Sequence, residues 1–86
     1  MSDGPRPLVW LVDTLEIVRS FPVLVKERIG FALYQAQTGG RHESAKMLQG
    51  FGTPVWEVRA DEVSGTYRAV YVVNLGDSVF VRGAGR

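Results

Sequence analysis

The chain has 86 residues, no cysteine, and ten Lys and Arg against nine Asp and Glu, for a net charge of +1. Such a length allows one domain at most, here residues 1–86, and the missing cysteines exclude a disulfide scaffold or a Cys-based zinc ribbon. At 45% apolar and 22% charged residues the composition is that of a globular domain rather than a disordered one. A domain this small buries only roughly 60% of its unfolded surface, so self-association as a homo-oligomer, or a partner chain, is a natural source of added stability. The longest apolar run, Leu8 to Val12, is too short to span a bilayer, and Met1-Ser2-Asp3-Gly4 lacks the regions of a signal peptide. The expectation is a cytoplasmic protein without a membrane partner. The near-zero net charge neither demands nor forbids nucleic acid, because a local basic patch can hide in a balanced total.

Residues 1–7 hold two prolines and a glycine and read as a loose lead-in. Leu8 to Val12 follows as a short buried strand. Asp13-Thr14-Leu15-Glu16 has capping-box spacing and predicts a helix from Thr14 to Arg19 that buries Leu15, Val18 and Ile17. Ser20-Phe21-Pro22 breaks it and opens a second helix. Val25, Ile29, Ala32, Leu33 and Ala36 recur there at helical spacing, up to Gly39-Gly40. Gly30 interrupts this helix at a cost of about 1 kcal/mol relative to Ala, which points to close packing against a neighbour. Residues 41–54 show no clean period and read as an ordered loop with a turn near Gly50, Phe51 and Gly52. After Pro54 the period becomes two. Trp56, Val58 and Ala60 share one face, with Val55, Glu57 and Arg59 on the other. A turn over residues 61–65 leads to a strand from Thr66 to Asn74, which sets Tyr67, Ala69, Tyr71 and Val73 opposite Arg68, Val70 and Val72. Residues 74–77 turn the chain again, Ser78 to Arg82 form a last strand, and residues 83–86 read as a bare tail. The order β-α-α-β-β-β describes an α+β domain, with the first strand free to join one edge and two helices on one face of a small antiparallel sheet. Its other face is left open.

Most catalytic signatures are missing. His42 is the sole histidine, which excludes a His-rich metal site, and the carboxylates show no ligand spacing, so no metal is expected. Gly50-Phe51-Gly52 is followed by a proline and a strand rather than a helix, unlike a dinucleotide loop. No serine lies in a nucleophile elbow. What remains is a set of cations and hydroxyls: Arg41, His42 and Lys46, then Arg59, Tyr67, Arg68, Tyr71 and Arg82. Such a set suits a phosphodiester, because metal-free RNA cleavage uses the neighbouring 2′-OH and needs groups that offset charge growing on phosphorus. Arginine's planar fork holds two phosphate oxygens at once. Surface ion pairing is the simpler reading of each cation taken alone.

Several segments, taken in order, resemble one known family. These are Leu8-Val9-Trp10-Leu11 with Asp13, then Arg19-Ser20-Phe21-Pro22 and Ile29 to Gln37 ending in Gly39-Gly40. Ser44 to Gly52, Glu57-Val58, and Thr66-Tyr67-Arg68-Ala69-Val70-Tyr71 complete the set. Together they are similar to the phage-derived HigB-like branch of the RelE/ParE toxin superfamily, over about Pro7 to Val81. The resemblance implies a RelE-like fold and a toxin of a type II toxin-antitoxin pair. Such a toxin acts as a messenger RNA endonuclease, often on ribosome-bound message, without metal or organic cofactor. Its implied partner is a helix-turn-helix antitoxin. Arg68 falls where the superfamily places an arginine facing the RNA phosphate, with Glu57 and Arg82 as further catalytic candidates. Lys46, Arg59 and Arg41 are the RNA-binding candidates. Relatives continue past the last strand into a basic segment, whereas this chain reads Val81-Arg82-Gly83-Ala84-Gly85-Arg86. That leaves open a second reading, a shortened toxin that binds its antitoxin and cuts nothing, so whether the chain is an enzyme is left undecided. A gyrase-directed toxin, as in the ParE branch, fits these motifs less well.

Trp10 and Trp56 read as core rather than base-stacking platforms, and Phe31 and Tyr34 as packing against the first helix rather than as an exposed docking patch. His42 lies in a polar loop, where an acid-base role is the lesser reading. Glu57 beside Arg59 is either a general base or half of an exposed ion pair.

Overall fold

The structure is a computed structural model that describes residues 5–49, 52–73 and 78–86. Its elements are β1 (Leu8–Trp10), α1 (Thr14–Arg19), α2 (Val23–Gln37), β2 (Ala45–Leu48), β3 (Val55–Glu62), β4 (Gly65–Val73) and β5 (Val79–Gly85). The strands make one five-stranded sheet in the order β1-β5-β4-β3-β2. β2 to β5 run antiparallel to their neighbours, while β1 lies parallel to β5 with Val9 beside Phe80. The sheet is therefore mixed rather than purely antiparallel. The α1–α2 passage returns the chain to the same end of the sheet before it turns back through β2.

The helix α2 carries the expected stripe: Val25, Ile29, Ala32, Leu33 and Ala36 are all buried. It lies over β3 and β4, and α1 lies over β5. The side chains of Val58, Ala60, Tyr67, Ala69, Tyr71, Val79 and Val81 meet the helices from the sheet. Period-two alternation explains the choice: Tyr67, Ala69 and Tyr71 of β4 point to the helices, so Arg68, Val70 and Val72 must point away. Trp10 and Trp56 are half-buried and rest against this core. Pro22 sits at the N-terminal boundary of α2 and its carbonyl accepts the first helical bond from Lys26 (2.9 Å). Gly39, at φ +92°, ends the helix. Its N–H donates to the Ala36 carbonyl (3.1 Å) and that of Gly40 to the Gln35 carbonyl (2.7 Å), the paired bonds of a Schellman ending.

Several local expectations are corrected. β1 stops at Trp10, and Val12, at φ +56°, adopts a left-handed backbone that no strand can contain. Asp13 makes no side-chain capping bond; the buried Thr14 hydroxyl instead donates to the Leu11 carbonyl (2.8 Å). Ala45–Leu48 is a strand rather than loop, pairing Lys46 with Glu57 and Leu48 with Val55. Four residues are too few for their alternation to stand out from the polar stretch around them. Residues 83–85 extend β5 instead of forming a bare tail, with Ala84 opposite Ala69. The lead-in is tied down at Arg6, whose N–H donates to the Gln37 carbonyl (2.8 Å). Its first four residues, the Gly50-Phe51 part of the loop turn, and the 74–77 turn lie outside the described residues.

Phe31 and Tyr34 do not pack on α1. They are 57% and 52% exposed, on the outward side of α2 with Leu24. Gly30 is exposed too, and a Cβ built there meets nothing within 4 Å, so close packing is not why a glycine stands here. Replacing it adds helix propensity without a clash. Gly30→Ala is therefore expected to stabilise the fold by about 1 kcal/mol, raising the thermal midpoint by roughly 4–8 °C for a domain of this size. Ile29→Ala, one residue away but fully buried, is expected to cost about 2–5 kcal/mol. Thermal melts of the two variants check both values.

Candidate functional site

The sheet face turned away from the helices collects five of the six candidate cations and carboxylates. Cross-strand register places Lys46 beside Glu57, Glu57 beside Val70, and Arg59 beside Arg68. Two guanidinium groups directly opposite each other repel. Glu57, two residues along β3 on the same face, lies between them: its Oε1 is 3.8 Å from Arg59 Nε and its Oε2 3.7 Å from Arg68 Nε. These separations are ion-pair distances rather than hydrogen bonds, so the arginine N–H groups remain available to an incoming oxyanion. The Glu57 side chain is 19% exposed, against 40% for Arg68 and 59% for Arg59. Exposed pairs of this kind contribute about 0.2–1 kcal/mol each, so the trio orients charge more than it stabilises the fold.

Arg82 reaches the same face by a different device. The β4–β5 register pairs Val70 with Gly83 but Tyr71 with Val81, leaving Arg82 as the extra residue of a bulge. A bulge re-aims a side chain that strict alternation would place elsewhere. Beside Arg82 is a shallow depression of about 270 Å³, floored by Leu48, Val55, Val70 and Gly83. Arg82 therefore borders an apolar floor of a size to take a flat ring.

The sixth candidate, Arg41, is elsewhere. Its guanidinium lies 4.5 Å from the centre of the Trp56 ring. Trp56 alternates with Glu57 and so belongs to the helix side of the sheet, opposite the cluster. Arg41 and Trp56 border a cleft of about 290 Å³ at the C-terminal end of α2, together with Arg6 and Tyr71. This cleft is larger than the depression on the open face, yet it holds none of the other candidates. His42 accepts a hydrogen bond at Nδ1 from the Ser44 N–H (3.0 Å) and meets the Phe31 ring edge-on (5.7 Å between centroids), away from Glu57. Tyr67 is buried with its hydroxyl 2.5 Å from Ser64 Oγ. Arg86 donates to the Ser64 carbonyl and stands over the Tyr67 ring. Burial raises the Tyr71 phenol above the usual tyrosine range, against a smaller lowering by Arg41. Ser64 lowers the exposed Glu62 carboxyl through its hydroxyl and N–H. Sequence reading singled out neither Arg6, which looks like part of a lead-in, nor the Leu48–Val55–Val70 floor, which needed β2 to be seen as a strand. Among the described residues no three His, Asp or Glu side chains converge as metal ligands, and no helix is long and apolar enough to cross a membrane.

The fold superposes on a free-state structure of a double arginine-to-alanine mutant of the E. coli toxin RelE with a TM-score of 0.71. The two are 25% identical, over 96% of this chain and 84% of that one. Residues 16–85 match the family described as phage derived protein Gp49-like (DUF891), and the chain belongs to that family. Curated proteins provide no match. Fold and family meet the expectation of a phage-derived member of the RelE superfamily.

The buried phenol has a measurable consequence. A tyrosine whose folded-state pKa is raised favours its neutral form in the native protein, so its contribution is complete below the unfolded value of about 10. It is lost as pH rises through the folded value. Stability of the wild type is therefore expected to fall above about pH 10 more steeply than that of Tyr71→Phe, in denaturant titrations run at stepped pH. Equal slopes would place Tyr71 in a solvated setting.

Proposed function

We propose that this chain is the toxin of a toxin-antitoxin pair and cleaves messenger RNA without a metal, on the sheet face that carries Glu57 and Arg68. The observation that carries the reading is the Glu57–Arg68 pair, flanked by Lys46 and Arg82 on an open surface. In the reaction, Glu57 accepts the proton of a ribose 2′-OH. The 2′-oxygen attacks phosphorus and the P–O5′ bond breaks, leaving a 2′,3′-cyclic phosphate and a 5′-hydroxyl. Arg68 and Arg82 offset the charge that develops on the phosphoryl oxygens, the kind of interaction that counts most in an acyl or phosphoryl transition state. Lys46 and Arg59 hold the neighbouring backbone as counter-charges. The leaving 5′-oxygen takes its proton from water, since the open face is solvated and its described residues include no histidine or tyrosine. The depression beside Arg82 receives the base next to the scissile bond. Arg41 is not part of this face, because its guanidinium stands over Trp56 on the other side of the sheet. The antitoxin is a helix-turn-helix protein, the message is bound in translation, and the toxin acts in the cytoplasm.

Expression of the wild type in cells, with new 5′ ends mapped on messenger RNA, tests the reading. Cuts inside translated messages are expected. Arg68→Ala should lower their rate by about 10²–10³, as for loss of one oxyanion donor, and Glu57→Gln should lower it without weakening RNA binding. Cleavage by wild type and Glu57→Gln at equal rates removes Glu57 as base. If wild type cuts nothing yet co-purifies with its antitoxin, the binding-only reading replaces this one. Double-strand breaks trapped on gyrase would move the target to DNA. A separate measurement addresses the backbone contacts: the affinity for single-stranded RNA should fall with salt, and Lys46→Ala should reduce the slope by about 0.7.

A further inference from the structure

The cleft at the end of α2 is built from cations that the reaction above does not use. Arg6 is held at both its backbone and its head. Its N–H donates to the Gln37 carbonyl (2.8 Å), its carbonyl accepts from Gln37 Nε2 (2.7 Å), and its Nη1 donates to the Ala36 carbonyl (3.2 Å). One guanidinium donor is thus engaged out of five. On the same cleft, the Arg41 guanidinium carbon stands over the Trp56 ring, 4.5 Å from its centre. A ring face attracts a guanidinium without using up its N–H donors. Tyr71 closes the floor at 1% exposure, a neutral O–H donor at neutral pH. Gly39 and Gly40, which end the helix, form part of the rim. Among the described residues no Asp or Glu borders the cleft, and neither arginine forms an ion pair. Two arginines on one partly enclosed cleft that has no carboxylate among its described lining residues attract an anion, because like charges held together repel.

The donor set indicates which anion. Two guanidinium forks and a hydroxyl approach from different elements: the lead-in, the segment after α2, and β4. A carboxylate offers two coplanar oxygens, which one fork already satisfies, whereas a phosphate offers oxygens in several directions. A volume of about 290 Å³ accommodates a phosphate with one attached sugar and is small for a larger ligand. We propose that the cleft between Arg6 and Arg41 is a phosphate-binding site, with both guanidinium groups and the Tyr71 hydroxyl as donors. It is separate from the open-face cluster, since Trp56 and Tyr71 alternate with Glu57 and Val70 on their strands. It does not rest on the RNA-cleavage reading and goes beyond it. The phosphate comes from a free nucleotide or from the end or backbone of an RNA strand.

Isotope-labelled full-length protein titrated at constant ionic strength with inorganic phosphate, then 5′-AMP, then a dinucleoside monophosphate tests this. Saturable shifts are expected at the Trp56 indole N–H and the Gly39 and Gly40 amides. Arg41→Gln should weaken the binding read at these cleft signals by about tenfold or more, Arg41→Lys by less, and Arg28→Gln, at an exposed position of α2, not at all, with unchanged spectra elsewhere confirming that each variant folds. Tighter binding of 5′-AMP than of the dinucleotide identifies a terminal phosphate as the source, and equal binding identifies strand backbone. Shifts that persist in Arg41→Gln, or that centre on Lys46 and vanish in Arg68→Ala, overturn the proposal. Acetate binding as tightly as phosphate overturns it as well, since the site would then serve a carboxylate.

Discussion

The register of β4 governs the molecule. Tyr67, Ala69 and Tyr71 face the helices and supply the centre of the core, while Arg68, between two of them, faces solvent. A slip of one residue against β3 would bury Arg68 under α2 and expose two tyrosines, which no compensating contact could offset. The hydrophobic side of the strand therefore positions its charged side, and the candidate chemistry is a by-product of where the core must be. The same alternation in β3 presents Glu57 and Arg59 outward because Val58 and Ala60 are held inward. Flanking strands then bring Lys46 and Arg82 to the same surface, one by direct pairing and the other by a bulge.

Charge on that surface is arranged rather than accumulated. Arg59 and Arg68 face each other across the β3–β4 ladder, an unfavourable pairing that Glu57 relieves from a diagonal position. The carboxylate is consequently fixed beside the arginine that would hold a phosphate. Removing Glu57 would leave two guanidinium groups in direct opposition, and removing either arginine would loosen the carboxylate. The three side chains respond as one unit, and their effects on any reaction are expected to be non-additive. The ion-pair distances, longer than hydrogen bonds, also mean that a phosphate does not have to break a strong contact in order to bind.

Long, regular segments carried their structure openly in the sequence. The α2 stripe and the opposed faces of β3 and β4 follow from periodicity over eight or more residues, where packing and pattern agree. Shorter or irregular features did not. β2 is four residues in which only Ala45 and Leu48 are half-buried while Lys46 and Met47 are exposed, a burial pattern without clean alternation, and it becomes a strand because β3 offers an edge. Asp13 has a capping sequence but Thr14 takes the local role through Leu11, a competition that spacing alone does not resolve. Gly30 resembles a packing glycine but is solvent-exposed, because nothing in a one-dimensional stripe tells how far a neighbouring helix lies. Arg68, Glu57, Lys46 and Arg59 could be placed on one face from alternation, given β2. Arg82 needed the bulge, and Arg41 was drawn away by an aromatic ring that the loop's own sequence does not announce.

A net charge of +1 conceals two electrostatic environments separated by the thickness of one sheet. On the open side the arginines are solvated and share a carboxylate, so their field is weakened by salt and by Glu57 alike. On the helix side Arg6 and Arg41 are restrained by a carbonyl and an indole, neither of which neutralises them. A carbonyl or a ring face directs a guanidinium without cancelling its charge, whereas a carboxylate does both. The first arrangement suits a mobile strand that must be held, cut and released. The second suits a small anion that is held in one orientation, and the conformational cost of ordering the arginines is already met by the fold before that anion arrives.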